Sequence, residues 1–141
     1  MILPIWMQRV LSSGQFVPGT PLAKTLAFGT AYQADVPTKP AFVSIIVDVN
    51  HVVTVAGALS DELELRIGPD VNVVAATNPT GYPVAKFKKS IVGIAITVGL
   101  QIGQTGQMAT AIPAGWYYGV RRISGTAATI SSAMVQPLTS T

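Results

Sequence analysis

The clearest pattern in the chain is an alternation of large apolar residues with small or polar ones from Ile91 to Ile102. Val, Ile or Leu stands at every second position, and Gly, Ala, Thr or Gln stands between them. A period of two is typical of a β-strand with one face in a core. A helix is disfavoured, because β-branched residues and two interior glycines lower helix propensity. The pattern therefore predicts one long strand, the central element of an antiparallel domain.

Shorter apolar segments separated by turn signals predict further strands. The segments 42–49 and 51–59 are expected to be two strands joined by a turn at 48–51. Segment 62–67 predicts another strand, with Glu62, Glu64 and Arg66 as a solvent-exposed ladder on one face. Additional strands are predicted at 25–33, 71–76, 82–89, 107–112, 116–123 and 126–135, and turns at 78–81, 103–106, 113–115 and 124–125. The expected fold class is all-β: an antiparallel β-sandwich or jelly-roll-like barrel with an extended N-terminal arm.

Residues 1–19 are interpreted as that arm, followed by a single β domain at 20–141. Prolines interrupt the segment, and its apolar run ends in a Ser-Ser-Gly turn signal. A tryptophan in such a segment needs burial, either on its own domain or on a neighbouring subunit. The candidate interface residues of the arm are Ile2, Leu3, Ile5, Trp6 and Met7. No secretory signal is expected, because the apolar start has no basic region before it and no small-residue cleavage site after it.

Composition points to assembly with other chains. Of the 141 residues, 49% are apolar and 11% are charged, against about 25% charged in an ordinary soluble domain. Either the surface is unusually neutral or other subunits cover much of it, since permanent interfaces resemble a divided core. The net charge of +3 is too mild to favour nucleic acid, which requires dense basic clusters. No membrane insertion is expected, because the apolar runs are shorter than a spanning helix.

The sequence offers little material for catalysis. It contains no cysteine, which excludes disulfides, thiolate metal sites and cysteine nucleophiles. The single histidine, His51, is expected to be exposed at a turn, and one histidine cannot form a histidine metal cluster. The acidic residues match no metal or glycosidase motif: Asp35, Asp48, Asp61, Glu62, Glu64 and Asp70. Phosphate-binding glycine loops are also missing. We therefore predict no catalytic, cofactor-binding or metal-binding residues, and no enzyme.

Two groups of basic and aromatic residues remain as candidate sites. They are Lys86, Phe87 and Lys88 in one segment, and Trp116, Tyr117, Tyr118, Arg121 and Arg122 in another. Tryptophan, tyrosine and arginine are favoured in protein interfaces, so an interface or core role is the preferred interpretation. Basic residues interleaved with aromatic ones also suit a sugar or single-stranded nucleic acid, and these alternatives stay open.

Four short segments resemble a known group of proteins. They read AYQA at 31–34, PTKPA at 37–41, PAGWY at 113–117 and RISGT at 122–126. Together they resemble small β-rich virion structural proteins of tailed bacteriophages and prophages, over a stretch of about 31–135. The resemblance implies a virion component rather than an enzyme. Such β domains serve as capsid decoration proteins and as parts of tails and fibres.

The preferred hypothesis is a capsid decoration protein, made in the host cytoplasm and located in the virion. It is expected to form a homotrimer and to bridge neighbouring copies of the major capsid protein, with residues 1–19 as the bridge. Deletion of that arm is expected to leave a folded domain that no longer binds shells. The alternative is a tail-fibre or tail-tip module that binds a host surface glycan through the cluster at 116–122. Neither hypothesis involves a cofactor.

Overall fold

The computed structural model describes residues 16–53, 57–94 and 100–140, and its regular structure is almost entirely β. The strands are β1 (Phe16–Pro18), β2 (Leu22–Lys24), β3 (Tyr32–Gln33), β4 (Ala41–Val53), β5 (Gly57–Gly68), β6 (Tyr82–Ile94), β7 (Leu100–Ile112), β8 (Tyr117–Ser124) and β9 (Ala128–Ser140). One 3-10 helix, Val71–Val74, is the only helix in the described part of the chain. The predicted all-β class is confirmed. No helix among these residues is long and apolar enough to cross a membrane.

The strands form two antiparallel sheets. The first has the order β1-β9-β4-β7, and β2 also pairs with β9. The second has the order β3-β8-β5-β6. Strand β4 lies inside the first sheet and pairs with β7 over its whole length, from Ala41 opposite Ile112 to Val53 opposite Leu100. Strand β5 holds the equivalent position between β8 and β6 in the second sheet.

The core lies between the two sheets and follows from the alternation along their central strands. In β4, Val43, Ile45, Val47 and Val49 point inward and are at most 1% exposed. From β5, Leu63, Leu65 and Ile67 enter the same cluster. Burying a side chain of this size contributes about 1.5–3 kcal/mol relative to leaving it in water. The repeated inward positions of these two strands therefore hold the sheets together as a β-sandwich.

Strands β6 and β7 belong to different sheets and meet at Phe87 and Gly106. The Phe87 ring is buried and packs directly on the backbone at Gly106. A Cβ atom at Gly106 would lie 2.2 Å from the ring. Because only glycine leaves room for the ring, this residue pair determines how closely the two sheets approach on this side of the core.

The long strand predicted at 91–102 stays a prediction over its centre, because residues 95–99 lie outside the described part of the chain. Residues 91–94 are the described end of β6 in the second sheet, and residues 100–102 begin β7 in the first sheet.

Three predictions are corrected. Strand β4 runs through 48–51 without a turn, because Asp48 and Asn50 are polar outward positions of a strand with an exposed face. The predicted turn at 103–106 lies inside β7. The predicted strand at 71–76 is the 3-10 helix, which Asp70 caps by accepting a 2.8 Å hydrogen bond from the Asn72 amide. The turn predicted at 78–81 is confirmed, with positive φ at Asn78 and Gly81.

Most of the predicted N-terminal arm, residues 1–15, lies outside the described residues. Phe16–Pro18, which the prediction assigned to the arm, forms β1 and pairs with the end of β9 from Ser140 to Leu138. The Gly19 amide also donates a 2.7 Å hydrogen bond to the Pro137 carbonyl. The described end of this segment is therefore part of the first sheet.

Candidate interaction surface and buried polar clusters

The surface of the first sheet that faces away from the core, here called the outer face, combines large apolar and neutral polar side chains and is almost uncharged. Strand β4 presents two large apolar side chains on it, Phe42 at 41% exposure and Ile46 at 37%. Met134 of β9, at 38% exposure, lies opposite Ser44. It is therefore a diagonal neighbour of both β4 side chains, about 7–8 Å away. The three side chains form one apolar stripe across two strands.

The outer face contains a single charged residue on its central strands. Asp48 is the only charge among the outward positions of β4, and the positions opposite them on β7 and β9 are neutral. Its carboxylate accepts a 2.5 Å hydrogen bond from the Thr105 hydroxyl. That hydrogen bond, with a smaller contribution from Ser131, holds the pKa of Asp48 below its usual value. The rest of the face can be covered without burying a charge.

The sequence did not identify the outer face because 42–49 was interpreted as a continuously apolar, buried strand. The sequence did contain a signal, because the polar residues Ser44 and Asp48 lie four positions apart in that segment. Together with Phe42 and Ile46 they occupy every second position, so the four residues share one face of β4. A mixed outward face of this kind is typical of a strand that is half exposed until a partner covers it.

The candidate residues of β6 separate onto two sides of the strand. Phe87 lies in the core, so it does not contribute to a surface. The side chains of Lys86 and Lys88 are 58% and 63% exposed, and their Nζ atoms lie 3.8 and 4.0 Å from the Glu62 carboxylate. Exposed pairs at such distances contribute little to stability. The two lysines are therefore surface charges along an edge strand.

The aromatic residues predicted at 116–118 also separate. Tyr118 is buried in the core with its ring 5.9 Å from that of Tyr32. Burial, with the nearby charges of Asp35 and Tyr32, raises the pKa of Tyr118 to about 12. Trp116 is partly buried and stacks on Tyr82 at a centroid distance of 6.2 Å. Tyr117 is partly buried at the start of β8. The structure therefore does not form one continuous aromatic platform from these three residues.

The two candidate arginines are engaged inside the domain. Arg121 lies 3.2 Å from the Glu64 carboxylate and donates to the Ala76 carbonyl at 3.2 Å. Arg122 lies 3.2 Å from the Asp61 carboxylate, and its guanidinium sits over the Phe28 ring at 4.2 Å. The two side chains are also 28% and 26% exposed, and they line a cleft of about 520 Å³ beside Phe28.

Asp61 is the centre of a buried polar cluster that joins four strands. Its Oδ2 atom lies 2.6 Å from His51 Nε2, and its Oδ1 atom accepts 3.0 Å hydrogen bonds from the Ala127 and Ala128 amides. Arg122 approaches the same oxygen at 3.2 Å. The tight turn at Gly125, with φ of 79°, directs the two amides toward the carboxylate. The prediction of an exposed histidine is wrong, because His51 is an inward position of β4 and is 2% exposed.

The arrangement at His51 is that of an imidazole oriented by a carboxylate. With Asp61 accepting at Nε2, the Nδ1 atom is buried and has no hydrogen-bond partner among the described residues. A cleft of about 230 Å³ borders the cluster and is also lined by Ser60 and Thr126. No group of three or more metal-ligating residues occurs in the described part of the chain.

A second buried cluster overturns the predicted solvent-exposed ladder at 62–66. Glu64 is 3% exposed and Arg66 is 8% exposed, and they approach each other at 3.1 Å. Arg66 also donates to the carbonyls of Val73 and Thr80 at 2.9 and 3.1 Å. Buried charges are retained when partners satisfy them. This cluster ties the connection between β5 and β6 to the body of the domain.

Comparison with known proteins finds no family model that matches the sequence and no curated protein with significant similarity to it. The candidate arm residues Ile2, Leu3, Ile5, Trp6 and Met7 lie outside the described residues. The outer face, which the sequence did not predict, is the candidate interaction surface of the described residues.

Proposed function

We propose that this chain is a non-enzymatic structural protein of a tailed-bacteriophage virion, most simply a capsid decoration protein. The observation that carries the proposal is the outer face, where Phe42, Ile46 and Met134 are exposed together and Asp48 is the only charge on the central strands. Neighbouring exposed apolar side chains, unlike isolated ones, are a feature of interaction sites. The resemblance of the four segments at 31–126 to phage virion proteins supplies the kind of partner.

The distribution of charge supports an assembled protein. Ten of the fourteen charged side chains of the described residues lie within 4.0 Å of an opposite charge, and those of Asp61, Glu64 and Arg66 are buried. The pairs are Lys24 with Asp35, Arg66 and Arg121 with Glu64, Arg122 with Asp61, and Lys86 and Lys88 with Glu62. Covering a surface that carries few unpaired charges requires little desolvation of ions. Such a surface is suited to a permanent contact.

The proposed role is to stabilise a capsid shell mechanically. A decoration protein stabilises a shell by adding buried area across joints between neighbouring copies of the major capsid protein. A stable contact of standard size buries about 1,600 Å², and the apolar stripe of the outer face would form part of it. We propose that residues 1–15 add a second point of attachment, and that copies of the chain associate with one another, as the expected homotrimer does. No chemical step is involved.

A binding experiment with two matched variants tests this proposal. Ile46→Lys places a charge in the centre of the outer face, whereas Val71→Lys places one on the 3-10 helix, where Val71 is 59% exposed. Both proteins are expected to remain folded, because both positions are exposed. In co-sedimentation with shells of the major capsid protein, Ile46→Lys should lose at least tenfold in affinity and Val71→Lys should bind as wild type. Unchanged binding of Ile46→Lys would show that the outer face is not the contact.

The alternative function, glycan binding by a tail-fibre or tail-tip module, is favoured by one observation. Tyr82 is 47% exposed, and its ring is nearly parallel to that of Trp116, with an interplanar angle of 11°. An exposed aromatic face has an apolar surface on which a sugar ring can stack. On a panel of host surface glycans, this alternative requires binding by wild type that Tyr82→Ala abolishes. Absence of binding by the wild-type protein would eliminate it.

A further inference from the structure

The edges of the two sheets differ in how they are protected. An edge strand exposes unpaired N–H and C=O groups, and proteins guard such edges with short strands, lysine, proline or bulges. Strand β6 contains Pro83, Lys86, Lys88 and Lys89. Strands β1, β2 and β3 are three, three and two residues long. The part of β9 that neither β1 nor β2 covers contains a register shift opposite Ile46 and Val47. Each of these edges therefore has a feature that hinders pairing with another strand.

Strand β7 has none of these protective features. It is 13 residues long, reads LQIGQTGQMATAI, and contains no charged residue and no proline. It ends the first sheet, pairing with β4 on one side and with no other strand of the described residues. Five of the seven residues from Gln101 to Gln107 are exposed. This half of β7 is therefore an open edge in the described structure.

We infer that β7 pairs antiparallel with β7 of a second copy of this chain about a two-fold axis, so that the first sheet continues across both copies. The inference rests on the self-association in the proposed function and specifies the strand that makes the contact. Strand addition of this kind joins backbone groups and needs no particular side chain. The side chains decide which partner is accepted.

The exposed polar side chains of β7 fit a second copy. A two-fold contact places the same patch on both partners, so that patch must complement itself. Gln101 and Gln104 carry amide groups that both donate and accept hydrogen bonds. Thr105 and Gln107 donate to side chains of β4, and their own oxygen atoms remain as acceptors. A lysine or glutamate cannot pair with its own kind, and like charges opposite each other destabilise a strand pair. The neutral composition of β7 therefore permits self-pairing.

The contact adjoins the outer face and would extend it. Ile46 lies opposite Gln107 in the β4–β7 pair, and neighbouring strands lie about 4.8 Å apart. Pairing of two β7 strands would therefore align two outer faces in one surface. A two-fold contact closes after two copies. By itself it gives a dimer, and combined with a three-fold contact elsewhere it would give a hexamer.

The first test measures the mass of the full chain in solution by light scattering after gel filtration. The double variant Gln101→Lys/Gln104→Lys places two charges on the open edge. The control, Thr129→Lys/Ser132→Lys, places two charges on exposed positions of β9, which β4 separates from that edge. Wild type and control are expected to be even-numbered oligomers, and the edge variant is expected to have half their mass.

The outcomes separate the two proposals. If wild type is an oligomer whose mass the edge variant leaves unchanged, the β7 inference is wrong and self-association stands. If wild type is a monomer at every concentration, self-association itself is wrong. Circular dichroism of the edge variant shows whether it has kept its strands.

A cysteine scan tests the pairing geometry directly. The chain contains no cysteine, so a disulfide in a single-cysteine variant can join only two copies. In a two-fold antiparallel pair one residue lies opposite its own counterpart, and disulfides need Cβ atoms about 3.5–4.5 Å apart. Among variants at each position from 101 to 107, crosslinking should peak at one position, while Ser132→Cys stays monomeric on denaturing gels. No peak along the scan would contradict the two-fold pairing.

Discussion

The Nε2 atom of His51 lies 2.6 Å from the Oδ2 atom of Asp61, and both side chains are 2% exposed. The two residues come from the successive strands β4 and β5, which belong to different sheets. Arg122 and two backbone amides complete the surroundings of the carboxylate. A buried carboxylate with four donors is well compensated, so removing its charge should affect the whole domain.

Asp61→Asn should lower the free energy of unfolding strongly. The substitution leaves Arg122 and His51 without their anion, and breaking a buried pair in this way costs about 3–5 kcal/mol. The matched control is Glu62→Gln, next in the chain, whose side chain is 23% exposed near two lysines. It should cost about 1 kcal/mol or less. Urea denaturation measures both variants, and equal effects would contradict a central role for Asp61.

The raised pKa of Tyr118 predicts that the folded protein loses stability at alkaline pH. Its pKa is raised from 10.0 to about 12 in the folded protein, so the folded state holds the phenol proton more tightly than the unfolded state does. The resulting stabilisation is complete below pH 10 and is lost as pH rises from 10 to 12. Two pKa units correspond to about 2–3 kcal/mol.

Tyr118→Phe isolates this contribution. In denaturation curves measured across the alkaline range, the variant should lose less stability than wild type. Tyr82→Phe, at a position that is 47% exposed, should follow wild type. The same alkaline loss in Tyr118→Phe as in wild type would mean that Tyr118 is not its source.

The contact between Gly106 and Phe87 predicts unequal effects of alanine at two glycines of β7. At Gly106 a Cβ atom would lie 2.2 Å from the Phe87 ring, whereas at Gly103 its nearest neighbour would be the Val49 carbonyl oxygen at 3.8 Å. Gly106→Ala should therefore cost about 1–3 kcal/mol through overpacking. Gly103→Ala should change stability by about 0.5 kcal/mol or less. Thermal unfolding compares them, and similar melting temperatures would refute the close approach of the two sheets.

Because β1 pairs with β9, a deletion that tests the N-terminal arm should end at residue 15 rather than at residue 19. Deletion of residues 1–15 leaves Phe16–Pro18 in the sheet, so the shortened chain should keep the pairing of β1 with β9 while binding to shells is reduced. Deletion of residues 1–19 also removes β1 and the Gly19 hydrogen bond to Pro137, and should lower the melting temperature. Full binding by the 16–141 chain in co-sedimentation would contradict a bridging role for the arm.

The sequence could predict the strands but not always where they end. The apolar segment 42–49 correctly predicted part of β4, but the polar residues Asp48 and Asn50 suggested a turn, because turns and exposed strand faces use the same residue types. Likewise, the regular alternation at 91–102 spans parts of two strands in different sheets. Period alone carries no information about sheet membership.

Local sequence patterns could not predict the two buried polar clusters, because their residues come together only in the folded domain. Asp61 and Arg122 are separated by 61 positions in the chain and meet only because β5 and β8 pair. Glu64 and Arg66 alternate with apolar residues in a way that normally indicates a solvent-exposed face. They are buried because the connection at 71–81 covers that face and supplies carbonyl acceptors. Such coverage depends on tertiary structure.

The most direct test of the proposed virion role is the copy number of this chain in purified phage particles, which the proposal requires to contain it. Quantitative mass spectrometry against the major capsid protein gives the ratio. We expect about one copy per capsid subunit, or a simple fraction such as one third, which would support decoration of the shell. A few dozen copies or fewer would contradict shell decoration and favour a tail or fibre, and absence from particles would contradict the virion assignment.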